Sequence, residues 1–223
     1  MTSILVISPH PDDETLGCGG TLLKHVSCAD SIHWLIVTEM HVGQGFSSLD
    51  LSTRAKEIES VQKVYGFSSV THLGFPTTGL DQIGLSDLVQ SVSEVITKIS
   101  PTLLYLPFGG DAHSDHRIVF DSVVSSAKWF RQPSIRKILA YETLSETDIV
   151  SRLTDEPFKP NVFVEVTDFL QTKIDIMELY KSEFGQFPFP RSEQAIRSLA
   201  AYRGTQSGCR AAEAFMLVKE IIK

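Results

Sequence analysis

Two short segments concentrate side chains that can move protons or grip a cation. The first is Ser8-Pro9-His10-Pro11-Asp12-Asp13-Glu14, and the second is Gly109-Gly110-Asp111-Ala112-His113-Ser114-Asp115-His116. Between them stand the imidazoles of His10, His113 and His116 and a cluster of carboxylates. A catalytic zinc takes three protein ligands and keeps one position open, and mixed histidine and carboxylate sets serve it well. The surplus carboxylates and imidazoles are then available for proton transfer and oxyanion stabilisation. Gathering such groups costs free energy unless a cation or substrate compensates. Spacing alone does not name the metal, and Asp, Gly and Pro also build ordinary solvated turns.

Each segment follows an apolar run of strand type, residues 4–7 before the first and 103–106 before the second. Residues 32–37 and 70–73 read as two more strands. Helical spacing separates them: Ala55, Ile58, Val61 and Tyr65; then Leu85, Leu88, Val92, Val95, Ile96 and Ile99; then Val119, Val123, Ala127 and Phe130. This alternation predicts an α/β sandwich with a largely parallel sheet. Loops that follow parallel strands emerge on one carboxyl edge, so the two segments are expected to meet there.

The 223 residues suit one large domain, 1–223, with a substantial core. A net charge of −7 and the lack of a basic stripe argue against nucleic acid as a partner. Cys18, Cys28 and Cys209 show no paired spacing, which argues against a disulfide framework or cysteine-rich zinc site and fits a reducing compartment. The start of the chain lacks a basic, signal-like region, and no stretch has the ~20 apolar residues of a membrane span. A cytoplasmic location is therefore expected. Gly17, Gly19 and Gly20 lack the Gly-Lys-Ser/Thr ending of a phosphate loop, and close packing better explains them. No Gly-x-Ser-x-Gly elbow points to a serine nucleophile.

Pro9-His10-Pro11-Asp12-Asp13-Glu14 resembles the signature of the PIG-L/LmbE-like family of zinc-dependent deacetylases, which act mainly on N-acetylglucosamine-containing compounds. His113-Ser114-Asp115-His116 resembles the family's second motif, and Arg54-Ala-Lys-Glu57 and Leu73-Gly-Phe-Pro76 resemble its intervening segments. The resemblance implies a Rossmann-like three-layer α/β/α sandwich with an added C-terminal portion. It implies a Zn2+ held by His10, Asp13 and His116, a site that Fe2+ or Co2+ would also suit. Asp12 becomes the general base, and His113 the group that stabilises the oxyanion or protonates the leaving amine. Asp115 would orient an imidazole, and Arg54 would hold a substrate hydroxyl or phosphate.

The partner so implied is a small N-acetylated sugar, whether free, nucleotide-linked or a glycan precursor; a homo-oligomer is compatible with the sequence. Two other readings stand beside it: zinc-dependent cleavage of a non-sugar or thiol-conjugate amide, and a metal- or sugar-binding protein without turnover. Thr77 and Thr78 stand where many of the family's sugar deacetylases carry an aspartate, and Asp111 where some relatives place a tyrosine.

The second half is less regular. Residues 135–141 and 162–166 read as strands, and 168–181 as a helix capped by Thr167. Phe187-Pro-Phe-Pro190 reads as a packed chain reversal, 191–203 as a helix ending at Gly204, and 211–222 fits either strand or helix.

Overall fold

Ile4, Leu5, Val6 and Ile7 are fully buried because their strand has a packed layer on each face. The computed structural model describes residues 2–149 and 157–222. Strands and helices alternate as β1 (Ser3–Ser8), α1 (Asp13–Ser27), β2 (Ser31–Glu39), α2 (Ser48–Tyr65), β3 (Ser69–Pro76), α3 (Leu85–Ile99), β4 (Leu103–Pro107), α4 (Ser114–Ser126) and β5 (Lys137–Tyr141). The later portion adds β6 (Val162–Glu165), α5 (Leu170–Met177), α6 (Glu193–Ser207) and β7 (Ala212–Glu220).

The sheet order is β3-β2-β1-β4-β5-β7-β6. β1 to β5 pair in parallel, whereas β7 runs antiparallel between β5 and β6. This is the expected α/β sandwich. Alternate side chains of β1 feed two cores. Ile4 and Val6 join Trp34, Tyr105, Val61 and Tyr65 under α1 and α2. Leu5 and Ile7 join Leu88, Val92, Val119 and Val123 under α3 and α4. Burying each such aliphatic side chain is worth about 1.5–3 kcal/mol.

The chain builds outward from β1 to β3, then crosses back so that β4 pairs on the other side of β1. The strand order therefore reverses between β1 and β4, and the loops after these two parallel strands open side by side on the carboxyl edge of the sheet. A crevice forms at such a point.

The glycine cluster in α1 permits close approach. A Cβ on Gly17 would stand 2.2 Å from the Tyr141 ring, and one on Gly20 would stand 2.8 Å from Val166. The expected helix at 168–181 is shorter, and Phe169 rather than Thr167 precedes it; the Thr167 hydroxyl instead bonds Glu165 at 3.2 Å. α6 begins after a Ser192 cap and runs past Gly204 to Gly208, because Gly204 is where the Cys209–Arg210 backbone folds back against the helix. The ambiguous stretch 211–222 is the strand β7, set between two neighbours that supply its ladder. No helix among the described residues is long and apolar enough to cross a membrane.

Candidate metal centre

The turn from β1 into α1 is built around Asp12. Its φ of 126° lies in a region that side chains other than glycine seldom occupy. Three bonds hold the strained residue: its N–H donates to Glu14 Oε2 at 3.1 Å, and its carbonyl accepts from Thr15 N at 3.0 Å and Leu16 N at 2.9 Å. Strain kept in this way tends to collect at functional sites. Glu14 is itself buried, bonded to the Thr15 and Tyr180 hydroxyls, and burial pushes its pKa up to about 7.

His10, Asp13 and His116 place one donor atom each within 4.8 Å of one another. Asp13 Oδ2 lies 3.4 Å from His10 Nδ1 and 3.3 Å from His116 Nε2, and accepts the His10 backbone N–H at 2.8 Å. The far nitrogens of both rings are held by carboxylates. His10 Nε2 is 3.1 Å from Asp115 Oδ2, and His116 Nδ1 is 2.8 Å from Asp111 Oδ2. Each ring is thus turned so that its other nitrogen faces Asp13. Asp111 is in turn fixed by the Thr147 hydroxyl at 2.5 Å, and Asp115 by the backbone N–H of Thr78 at 2.7 Å and of Leu80 at 3.3 Å.

The carboxylates around this cluster favour positive charge at the two imidazoles. Burial pulls His10 toward its neutral form, but Asp115 and Asp13 outweigh it and raise its pKa to about 9. Burial likewise opposes charge on His116, yet Asp13 and Asp111 raise it to about 10. Asp13 is held well below the usual carboxylate range against the pull of burial, chiefly by His116 and His10. Two imidazoles and a carboxylate, each oriented from behind and facing a cavity, fit a divalent metal of zinc type.

Asp12 and Asp13 diverge, as adjacent residues in an irregular turn can. Burial and the neighbouring Asp13 push the Asp12 pKa well above the usual range, and Arg191 opposes that rise. Arg191 Nη1 lies 3.1 Å from Asp12 Oδ2. His113 caps α4 by accepting the Asp115 N–H on Nδ1 at 3.1 Å. Burial, then the charges of His10 and His116, lower its pKa to about 4. The ring is therefore neutral at pH 7 with its hydrogen on Nε2.

A cavity of about 400 Å³ is lined by His10, Asp12, Asp13, His113 and His116. Arg54 lines it too, but its guanidinium is engaged with the Pro11 carbonyl at 3.1 Å, the Ser182 hydroxyl at 3.0 Å and the Glu183 carboxylate. Six of the seven sequence-derived site residues thus line one crevice, and the seventh, Asp115, is buried behind His10. Asp111, Glu14, Glu183 and Arg191 were not picked out as site residues by sequence. Asp111 and Glu14 lie inside the two motifs and could have been suspected as supports; Glu183 and Arg191 carry no motif.

The chain has relatives among known proteins. A match to the family described as PIG-L, GlcNAc-PI de-N-acetylase, spans residues 5–127, more than half of the 223 residues. The chain belongs to the PIG-L family. The PIG-L segment contains both motifs. A diacetylchitobiose deacetylase of Thermococcus kodakarensis is 26% identical over 227 residues, covering 98% of this chain and 84% of the relative. Among solved structures, the conserved protein TT1542 from Thermus thermophilus superposes with a TM-score of 0.79 at 24% identity, over 100% of this chain and 97% of that one. The N,N'-diacetylchitobiose deacetylase from Pyrococcus horikoshii gives 0.78 at 22% identity, over 97% of this chain and 83% of that one. These two superpositions show the PIG-L fold.

Proposed function

We propose that this protein is a zinc-dependent N-deacetylase that releases acetate from an N-acetylglucosamine-type amino sugar. The observation that carries the reading is Asp12, a strained and buried carboxylate, standing beside the converging donors of His10, Asp13 and His116. Simple cation binding needs neither that carboxylate nor a neutral imidazole lining the same cavity. The sugar assignment is supported by family membership and by the diacetylchitobiose deacetylase relatives.

His10, Asp13 and His116 would hold the metal, which when bound acidifies water and polarises an amide carbonyl. Asp12 accepts the proton of the attacking water, a task favoured by a pKa that burial and Asp13 raise above the usual carboxylate range. His113 presents Nε2–H to the oxygen that gains charge as the amide carbon becomes tetrahedral. The proton taken up at Asp12 is then available to the departing amine. Asp115 keeps His10 oriented and bonds the Thr78 backbone, so it acts through the ligand. Arg54 shapes the cavity wall by holding the Pro11 carbonyl and Glu183. Because Glu183 and Arg191 lie beyond the matched family segment yet support Asp12, residues 1–223 are read as one deacetylase domain. Free cysteines suit a cytoplasmic location.

Acetate release by the zinc-loaded protein tests the proposal, with N-acetylglucosamine, diacetylchitobiose and N-acetyl amino acids as substrates. Amino sugars are expected to turn over faster. A preference for acetylated amino acids would replace the sugar reading with a general amidase.

A further inference from the structure

The cavity continues from the donor set along one face of α2. Leu51, Ala55 and Ile58 line it at helical spacing, joined by Met40 from beyond β2. Leu51, Ile58 and Met40 are half-buried and Ala55 is exposed, so this wall is an aliphatic surface open to the cavity. Glu59 and Gln62 of the same helix line the cavity beside this strip, so the strip itself is the aliphatic part of the wall.

The charged lining excludes a different kind of substituent. A phosphate is recognised by arginine forks, lysines or backbone amides. Among the described lining residues the side-chain cations other than histidine are Arg54 and Arg191. Arg54 is engaged with Glu183 and Glu57, and Arg191 with Asp12, Glu183 and Glu146. Glu39 and Glu59 also line the cavity; Glu59 has Lys63 at 2.7 Å, while Glu39 is exposed. An incoming phosphate would meet filled arginines and further negative charge.

We infer that the α2 wall is a subsite for an uncharged, apolar aglycone carried by the amino sugar, and that phosphorylated and nucleotide-linked sugars are disfavoured. The inference rests on the amino-sugar reading of the same site. One methylene in a closed apolar pocket is worth roughly tenfold or more; several methylenes on a partly open wall are expected to reach about that value together.

Binding is measured by calorimetry on zinc-loaded Asp12→Asn protein, in parallel with acetate release by the wild type. The probes are methyl N-acetyl-β-glucosaminide, its butyl counterpart and N-acetylglucosamine 1-phosphate. The butyl glycoside is expected to bind about tenfold more tightly than the methyl glycoside, and the 1-phosphate about tenfold more weakly. Leu51→Asp and Ala55→Asp, each introduced beside Asp12→Asn, should erase the butyl advantage; Ala55 is an exposed helix position, so its variant keeps the test open if Leu51→Asp fails to fold. Equal affinity for the two glycosides, an unchanged butyl advantage in the folded variants, or tighter binding of the 1-phosphate overturns the subsite even if the wild type releases acetate. A butyl preference without acetate release from any probe supports the subsite and removes the deacetylase reading. Failure of all three to bind overturns the subsite, and only the absence of acetate release from every probe besides overturns the deacetylase reading.

Discussion

Arg191 Nη1 sits 3.1 Å from Asp12 Oδ2, bridging 179 positions of sequence to hold the carboxylate assigned as the base. The same Nη1 lies 2.6 Å from Glu183 Oε2, and Glu183 also meets Arg54, which holds the Pro11 carbonyl. The strained turn at Asp12 is thus gripped from the C-terminal portion on one side and from α2 on the other.

Arg191→Gln should lower kcat on the order of 10²-fold, the scale of a small misplacement of a reacting group. Arg191→Lys should recover part of it. Because Arg191 opposes the rise in the Asp12 pKa, its loss should move the acid limb of the kcat profile to higher pH. Metal content should stay near that of the wild type. An unmoved acid limb would show that Arg191 acts only on the fold.

The carboxylates behind the imidazoles should govern metal affinity. Asp111→Asn and Asp115→Asn each replace a charged partner of a ligand histidine. Loss of such a partner typically weakens metal binding 10–100-fold. Competition with a chromogenic chelator reads this directly, and wild-type affinity in both variants would contradict the roles given to these aspartates.

Much of this site was legible in the sequence. Residues 4–7 and 103–106 are short continuous apolar runs of the kind a doubly covered strand carries, and the loops leaving such strands gather at one edge. His10, Asp12, Asp13, His113 and His116 were readable because their chemistry is concentrated and ordered along the chain. Arg191 was not, because nothing local distinguishes an arginine at a helix start from a solvated one; the reversal through Phe187-Pro-Phe-Pro190 sets where it lands. Asp111 looked like a departure from a pattern, and only its 2.8 Å bond to His116 gives it a task. Strand β7 was ambiguous because its alternation is weak, and its pairing with both β5 and β6 is a long-range event. Thr167 failed as a cap because its hydroxyl turned to Glu165.

Metal binding should release protons. In the metal-free protein His10 titrates at about 9 and His116 at about 10, so both rings carry an extra proton at pH 7. Ligand nitrogens must be free of it, and binding near pH 7 should liberate about two protons, with affinity rising as pH increases toward 9. The same shifts fix a sign for stability. Folded-state pKa values above the unfolded 6.5 give the metal-free protein stabilisation that is full below pH 6.5 and lost as pH rises through 9 to 10. Calorimetry in buffers of different ionisation enthalpy counts the protons. No proton release at pH 7 would contradict this picture of the two rings.

The division of labour between the adjacent aspartates is the central claim, and paired measurement of zinc content and kcat in Asp12→Asn and Asp13→Asn tests it most directly. Asp12→Asn keeps the shape of the turn and removes the base, so zinc should remain near one per chain while kcat falls by roughly 10²–10⁴-fold. Asp13→Asn should lose the metal, and turnover with it. Zinc lost from Asp12→Asn and kept in Asp13→Asn would reverse the two assignments, and near-wild-type turnover in both would contradict the hydrolytic mechanism itself.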